Sequence, residues 1–178
     1  MKKNLLIFGA GGHGRVVKET AESMECFDKI DFLDDNSALA IGKCDDFQRY
    51  RDEYSYAFVA FGNNELRYEW IVKLTEVGFN LPTLIHPTVY VSSSATIEEG
   101  SIVIAKAAIN TNVVIKKGCI ISLGVLVDHD SYIGECAHIN SGAVVKAGSR
   151  VGRLKKIDAG IVYSGEKKSN DYSFEVGV

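Results

Sequence analysis

Asp128-His129-Asp130 is the stretch of this sequence best equipped for acid–base chemistry. A carboxylate on either side of an imidazole favours its charged form, raises its pKa and makes the neutral ring a stronger base. Such a ring can take the proton that an amine or hydroxyl loses on attacking a carbonyl. A lone histidine is often only surface, so the two flanking acids are what single His129 out. Cys136 is the nearest side-chain nucleophile, but no base is spaced to activate it, and it reads as structural. Cys26, Cys44, Cys119 and Cys136 lack metal-ligand spacing, so no metal is expected and the thiols read as reduced.

A second chemical feature lies near the start. Gly9-Ala10-Gly11-Gly12-His13-Gly14 satisfies G-x-G-x-x-G between an apolar run, Leu5-Leu6-Ile7-Phe8, and a helical pattern over Arg15 to Met24. Exposed amides at a helix N-terminus suit a phosphate, although any tight strand-to-helix turn can use glycines. Asp34 and Asp35 follow about 20 residues later, where an acid can accept from ribose or sugar hydroxyls. His13 fits either a bond to neighbouring backbone or donation to a phosphate. Gly62, Asn63 and Arg67 end the third strand on the same ligand-binding edge, and Arg67 reads equally as a surface charge. A domain of this size is half a dinucleotide fold, so a mononucleotide or nucleotide-sugar is favoured over NAD.

Elements must hold these groups in place. Val or Ile recurs at every sixth residue, from Val91 through Val103, Ile115, Val127 and Ile139 to Ile157. Val and Ile together are 34 of the 178 residues, too few for an unbroken run of that length by chance. A period of six belongs to neither helix nor strand but to a solenoid of stacked coils. Four residues after each aliphatic the side chain is mostly small, as at Ala107, Cys119, Ala137 and Ser149, while Gly100, Gly118, Gly124, Gly142 and Gly148 mark corners. His129 falls at such a corner, two residues after Val127. Ahead of the solenoid, strands over Leu5–Phe8, Ile30–Leu33, Tyr56–Phe61 and Leu81–Ile85 alternate with helices over 15–24 and 65–77. That alternation predicts a parallel α/β domain. Asn64 is the expected N-cap of the second helix.

The order of motifs resembles the sialic acid O-acetyltransferase-like family of sugar acyltransferases. The match runs through the glycine turn, Phe32-Leu33-Asp34-Asp35, Gly62-Asn63-Asn64-Glu65-Leu66-Arg67, Leu84-Ile85-His86 and Asp128-His129-Asp130, then Ile133-Gly134-Glu135 and His138-Ile139. The likeness is greatest to the UDP-4-amino-sugar N-acetyltransferases of bacillosamine synthesis. It implies an N-terminal Rossmann-like α/β nucleotide-sugar domain, 1–85, before an all-β left-handed parallel β-helix, 86–178, with a shortened tail. It also implies a homotrimer that uses acetyl-CoA. By this resemblance Gly11, Gly12 and His13 hold phosphates, Asp34 and Asp35 meet the uridine or its ribose, and Gly62 lies beside them. His129 is the base and Asp130 stands where relatives carry glutamate. His138, Gly142 and the Ala147 backbone meet acetyl-CoA.

The expected activity is acetyl transfer from acetyl-CoA to the 4-amino group of a UDP-linked sugar for surface glycan synthesis. O-acetylation of a sialic or other nonulosonic acid, and a non-catalytic nucleotide-sugar-binding subunit, are the alternatives. Net charge is −3, and no basic face or run points to nucleic acid. The apolar run near the start is too short to span a bilayer, so no membrane insertion and a cytoplasmic location are expected. Solenoid faces near Val114 and Val125 are expected to need cover from other subunits. Arg153, Lys155 and Lys156 crowd the last hexad, where the small-residue rule fails at Lys155. They suit either CoA phosphates or a solvated cap. Ser173 to Val178 resembles a closing strand.

Overall fold

The computed structural model describes residues 3–165. Its first part is a four-stranded parallel sheet. β1 (Asn4–Phe8), β2 (Lys29–Leu33), β3 (Ala40–Gly42) and β4 (Tyr56–Val59) stand in the order β3-β2-β1-β4. Helix α1 (Gly12–Ser23) joins β1 to β2, and α2 (Asn64–Glu76) follows β4. β1 is central and wholly buried, which is why it reads as an unbroken apolar run. β3 escaped the sequence reading because it is three residues long with no apolar run.

The sixth-residue repeat builds the second part. Each hexad contributes a two-residue strand whose second residue points inward, and strands 18 residues apart pair in parallel, as Val127 does with Val145. Three sheets result, the faces of a left-handed parallel β-helix. The first face stacks Leu84–Ile85, Ile102–Val103, Ile120–Ile121, His138–Ile139 and Lys156–Ile157. The second stacks Tyr90–Val91, Ala108–Ile109, Leu126–Val127, Val144–Val145 and Val162–Tyr163. The third stacks Thr96–Ile97, Val114–Ile115, Tyr132–Ile133 and Arg150–Val151.

Small residues after each aliphatic fill the inside of the corners: Ala107, Cys119, Ala137 and Ser149 are all buried. From Gly100 onward, one residue per corner has positive φ. Glycine takes it at 100, 118, 124, 142, 148 and 160; Lys106, Asn112, Asp130, Cys136 and Leu154 take it elsewhere. Asn and Asp tolerate this left-handed conformation better than most side chains.

Several expectations change. Leu84–Ile85 is not the last strand of the α/β sheet. It pairs with Ile102–Val103 and is the first rung of the solenoid, because Ile85 already occupies the inward frame. The repeat also runs one hexad past Ile157, with Tyr163 in the inward place. Val125 is buried inside the solenoid, since it holds a small-residue corner position, and Val114 is half-buried. The unpartnered apolar face is instead the second one, with Tyr90, Leu126 and Val162 exposed along it. The expected closing strand, Ser173 to Val178, lies outside the described residues.

The α/β domain sits on the first face. Leu84, Ile102 and Ile120 point outward from that face, yet are buried against Val17 and Ala21 of α1 and Phe58 of β4. Each such aliphatic contributes about 1.5–3 kcal/mol by leaving water. Arg67 of α2 fixes the same junction at the corner between the third and first faces. It is wholly buried. Its Nε donates to the Gly118 carbonyl at 2.9 Å and its Nη2 to the Cys136 carbonyl at 2.7 Å, two equivalent corner positions in successive coils. Nη1 donates to the Phe61 carbonyl at 2.8 Å, and Nη2 also reaches Asn64 Oδ1 at 2.9 Å. Arg67 is therefore a staple, not a ligand-facing cation: its donors are spent on carbonyls that would otherwise be buried unpaired.

Candidate active site

Two groups of side chains stand out, on opposite sides of the solenoid. The first occupies the vertex between the second and third faces. His129 is exposed there, and its Nδ1 lies 2.7 Å from Asp130 Oδ2. A carboxylate only accepts, so Nδ1 carries the proton and Nε2 keeps the lone pair. Asp130 raises the imidazole pKa above its ordinary 6.5 chiefly through this bond, and the charges of Asp128 and Asp130 add to it. Asp128 Oδ1 accepts the His129 main-chain N–H at 2.8 Å, which fixes the backbone under the ring. Asp130 has φ 58, the left-handed corner conformation. One methylene shorter than glutamate, it still reaches the imidazole. Ala147 stands one coil above His129, and its N–H has no partner among the described residues.

The second group lines a cavity of about 600 Å³ between α1 and the vertex joining the first and second faces. His13, Val16, Thr20, Gly62, Ser122 and His138 contribute to its wall. The His13 and His138 rings stack with centroids 6.5 Å apart. Burial, aided by the Arg67 charge, pulls each down to about 4, so both are neutral near pH 7. Ser122 Oγ lies 3.1 Å from His138 Nε2. His13 Nε2 and His138 Nδ1 are buried and, among the described residues, without partners, which costs about 1–3 kcal/mol apiece unless something binds them. Among the described residues, no group of three or more His, Cys, Asp and Glu could hold a metal ion.

The glycine turn joins this second group. Gly11 caps α1, Gly12 and His13 form its first turn, and the Asp34 Oδ2 accepts the Ala10 N–H at 2.8 Å, so the Asp34 carboxylate braces the turn. Its pKa is lowered, first by that bond and then by the Asn36 N–H. Asp35 is exposed beside it and accepts the Cys44 N–H at 3.3 Å. Asn63, not Asn64, caps α2, its side chain accepting the Leu66 N–H at 3.0 Å; Asn64 instead donates to the Leu154 carbonyl of the solenoid at 2.8 Å. Gly142 lies at the cavity's vertex with φ 68. The three residues expected to meet acetyl-CoA are thus divided, His138 and Gly142 by the cavity and Ala147 by His129. Ser122 and Asn140 were missed in sequence, although each directly follows an inward aliphatic, as Asp128 does.

Room within the turn differs by position. A Cβ on Gly14 would come within 2.0 Å of the Gly9 carbonyl oxygen, whereas Gly11 and Gly12 have open space around them. Gly14→Ala should therefore destabilise the fold by about 1–3 kcal/mol. Gly12→Val should melt as the parent does and lose nucleotide-sugar binding, because only a ligand would meet the new side chain. Calorimetry and thermal melting on both variants check this, and a Gly12→Val chain that binds normally would remove the turn from the site.

Comparison with known proteins places this geometry. The acetyltransferase domain of PglB from Neisseria gonorrhoeae, solved in complex with acetyl coenzyme A, matches with a TM-score of 0.85 and 37% identity, over 90% of this chain and 81% of that one. The chain belongs to the sialic acid O-acetyltransferase-like family of sugar acyltransferases. Residues 4–74 match the family model described as the PglD N-terminal domain. PerB from Caulobacter crescentus, in complex with CoA and GDP-perosamine, matches with a TM-score of 0.81 and 30% identity, over 91% of this chain and 89% of that one. The UDP-N-acetylbacillosamine N-acetyltransferase of Bacillus subtilis is 32% identical over 113 residues, 58% of this chain and 52% of that protein. The chain thus spans about half the length of that curated relative. No described helix of this chain is long and apolar enough to cross a membrane.

Proposed function

We propose that this protein is an acetyl-CoA-dependent N-acetyltransferase acting on the 4-amino group of a nucleotide-linked sugar, with residues 1–85 binding the sugar nucleotide and 86–178 the acetyl donor. The observation that carries the reading is His129: its Nδ1 is held by Asp130 and its Nε2 is left with a free lone pair. The amine attacks the thioester carbonyl, His129 Nε2 takes the proton the nitrogen loses, and the C–S bond breaks to release CoA as thiolate. The free N–H of Ala147, one coil above, is suited to the developing oxyanion. His13 and the glycine turn hold the diphosphate, with Asp34 bracing the turn and Asp35 next to the nucleoside. The relatives with UDP- and GDP-linked sugars leave the base to experiment. A coupled CoA-release assay across UDP- and GDP-linked 4-amino sugars and sialic acids tests this. Turnover confined to the sialic acids would make the chain an O-acetyltransferase, and none with any sugar would leave a binder.

The working form is a cytoplasmic homotrimer serving surface glycan synthesis. His129 and the cavity lie at the two edges of the second face, with the solenoid's width between them, so one chain cannot bring them together. The same face carries the exposed Tyr90, Leu126 and Val162. Head-to-tail packing of copies across it would cover this apolar surface and set His129 of one copy against the cavity of the next. Acetyl-CoA between copies could then meet His138, Gly142 and the Ala147 backbone at once. Leu126→Glu, at an outward-pointing position of the second face that solvent already reaches, should leave the monomer folded, dissociate the trimer and abolish turnover together. Sedimentation velocity with the CoA-release assay reads both, and an active monomer would refute the shared site.

A further inference from the structure

Two polar ladders climb the vertex that carries His129. In one, Ser94 Oγ accepts the Asn112 main-chain N–H at 3.0 Å, and Asn112 Nδ2 donates to Asp130 Oδ1 at 3.1 Å. The other oxygen of Asp130 accepts from His129 Nδ1. In the second ladder, Asn110 Nδ2 donates at 2.9 Å to Asp128 Oδ1, the atom that also accepts the His129 N–H. Every rung between side chains spans 18 residues, one coil. Asn112 and Asp130 share the left-handed corner place, with φ 57 and 58, so the solenoid gives both the same backbone. The amide of one therefore meets the carboxylate of the next. Asp130 is more than half exposed, and the bond from Asn112 narrows the rotamers its carboxylate takes.

We infer that Asn112 is a positioning residue for His129: it holds the Asp130 carboxylate in the orientation that receives Nδ1–H and so keeps the Nε2 lone pair free. The inference rests on the reading of His129 as the base. Asn110 steadies the backbone beneath the ring through Asp128. Asn112 itself touches no reacting atom. The charged neighbours of His129 on its own coil are Asp128 and Asp130. The coil below offers only uncharged Asn110, Thr111 and Asn112, and the coil above offers Lys146 and Ala147.

Two substitutions separate positioning from mere packing. Asn112→Gly deletes the side chain at a backbone conformation glycine adopts freely. Without the amide, Asp130 bonds Nδ1 less steadily, and that bond is the largest cause of the raised imidazole pKa. The pKa then falls. Asn112→Asp keeps shape and tolerates the corner but adds a negative charge one coil below Asp130, so the pKa rises. A packing role would leave the Asn112→Gly midpoint and tautomer unchanged, while the added charge of Asn112→Asp raises the pKa in either case and calibrates the signal.

The experiment is a ring-nitrogen NMR titration of the full chain, in which four histidines must be told apart and His129→Gln identifies the signal. The parent should titrate above 6.5 with the proton on Nδ1. Asn112→Gly should titrate lower with mixed tautomers, and Asn112→Asp higher. In the CoA-release assay Asn112→Gly should lose about tenfold in kcat at unchanged KM, as removal of an orienting partner does elsewhere. Its acid limb should move to lower pH. An Asn112→Gly chain with the parent's tautomer and midpoint overturns the inference. Failure of the base reading itself shows differently, as an active His129→Ala enzyme, and leaves the NMR result standing.

Discussion

His129→Ala should lower turnover about 10²–10⁴-fold, the usual contribution of a general base, with KM values little changed. The side chain is exposed and, among the described residues, its ring bonds only Asp130, so melting temperature and oligomeric state should stay those of the parent. The pH dependence carries the same assignment. A base works only when deprotonated, and Asp130 and Asp128 raise this imidazole above 6.5. Activity should therefore rise with pH through a midpoint above that value. Asp130→Asn keeps an acceptor for Nδ1–H but removes the charge, so its acid limb should shift down toward 6.5 as kcat drops. Rates within threefold of the parent in His129→Ala, at any pH between 6 and 9, would remove His129 from the chemistry.

Arg67→Ala should be the most damaging single change to the fold, at about 3–5 kcal/mol. The side chain is wholly buried, and its donors serve the carbonyls of Phe61, Gly118 and Cys136 and the amide oxygen of Asn64. Alanine leaves these oxygens unpaired and opens a cavity at the junction of the two parts. Arg67→Lys keeps the charge but not the fork, so it too should unfold early in denaturant. The opposite reading, in which Arg67 contacts the sugar nucleotide, expects Arg67→Lys to melt like the parent and lose affinity. Chemical denaturation beside calorimetry separates the two, and a normally stable Arg67→Lys chain with weakened binding would restore Arg67 to the site.

Asp130 and Asn112 show how function was written into a structural rule. From residue 100 onward the solenoid places one left-handed residue at each corner, and glycine takes six of these places. At 112 and 130 the chain uses Asn and Asp, which accept the conformation and bring a polar side chain as well. The periodicity made the corner legible. It could not show that the two side chains, one coil apart, would meet.

The period of six is legible in one dimension, and with it the inward aliphatics, the small corner residues and the placing of His129 on a vertex. These follow because a solenoid repeats one local rule, so every hexad reports the same frame. The glycine turn and the two acids beside it are legible too, since tight strand-to-helix geometry leaves few choices of residue. Tertiary structure alone decided what lies 50 or more residues apart. Arg67 looked like a helix-surface charge because nothing local reveals that Gly118 and Cys136 wait above it. His13 and His138 were read for different ligands, and the packing of α1 on the first face stacks them in one cavity. The separation of that cavity from His129 is likewise invisible in one dimension. It arises because the α/β domain covers one face of a triangular solenoid and the histidine stands at the opposite vertex.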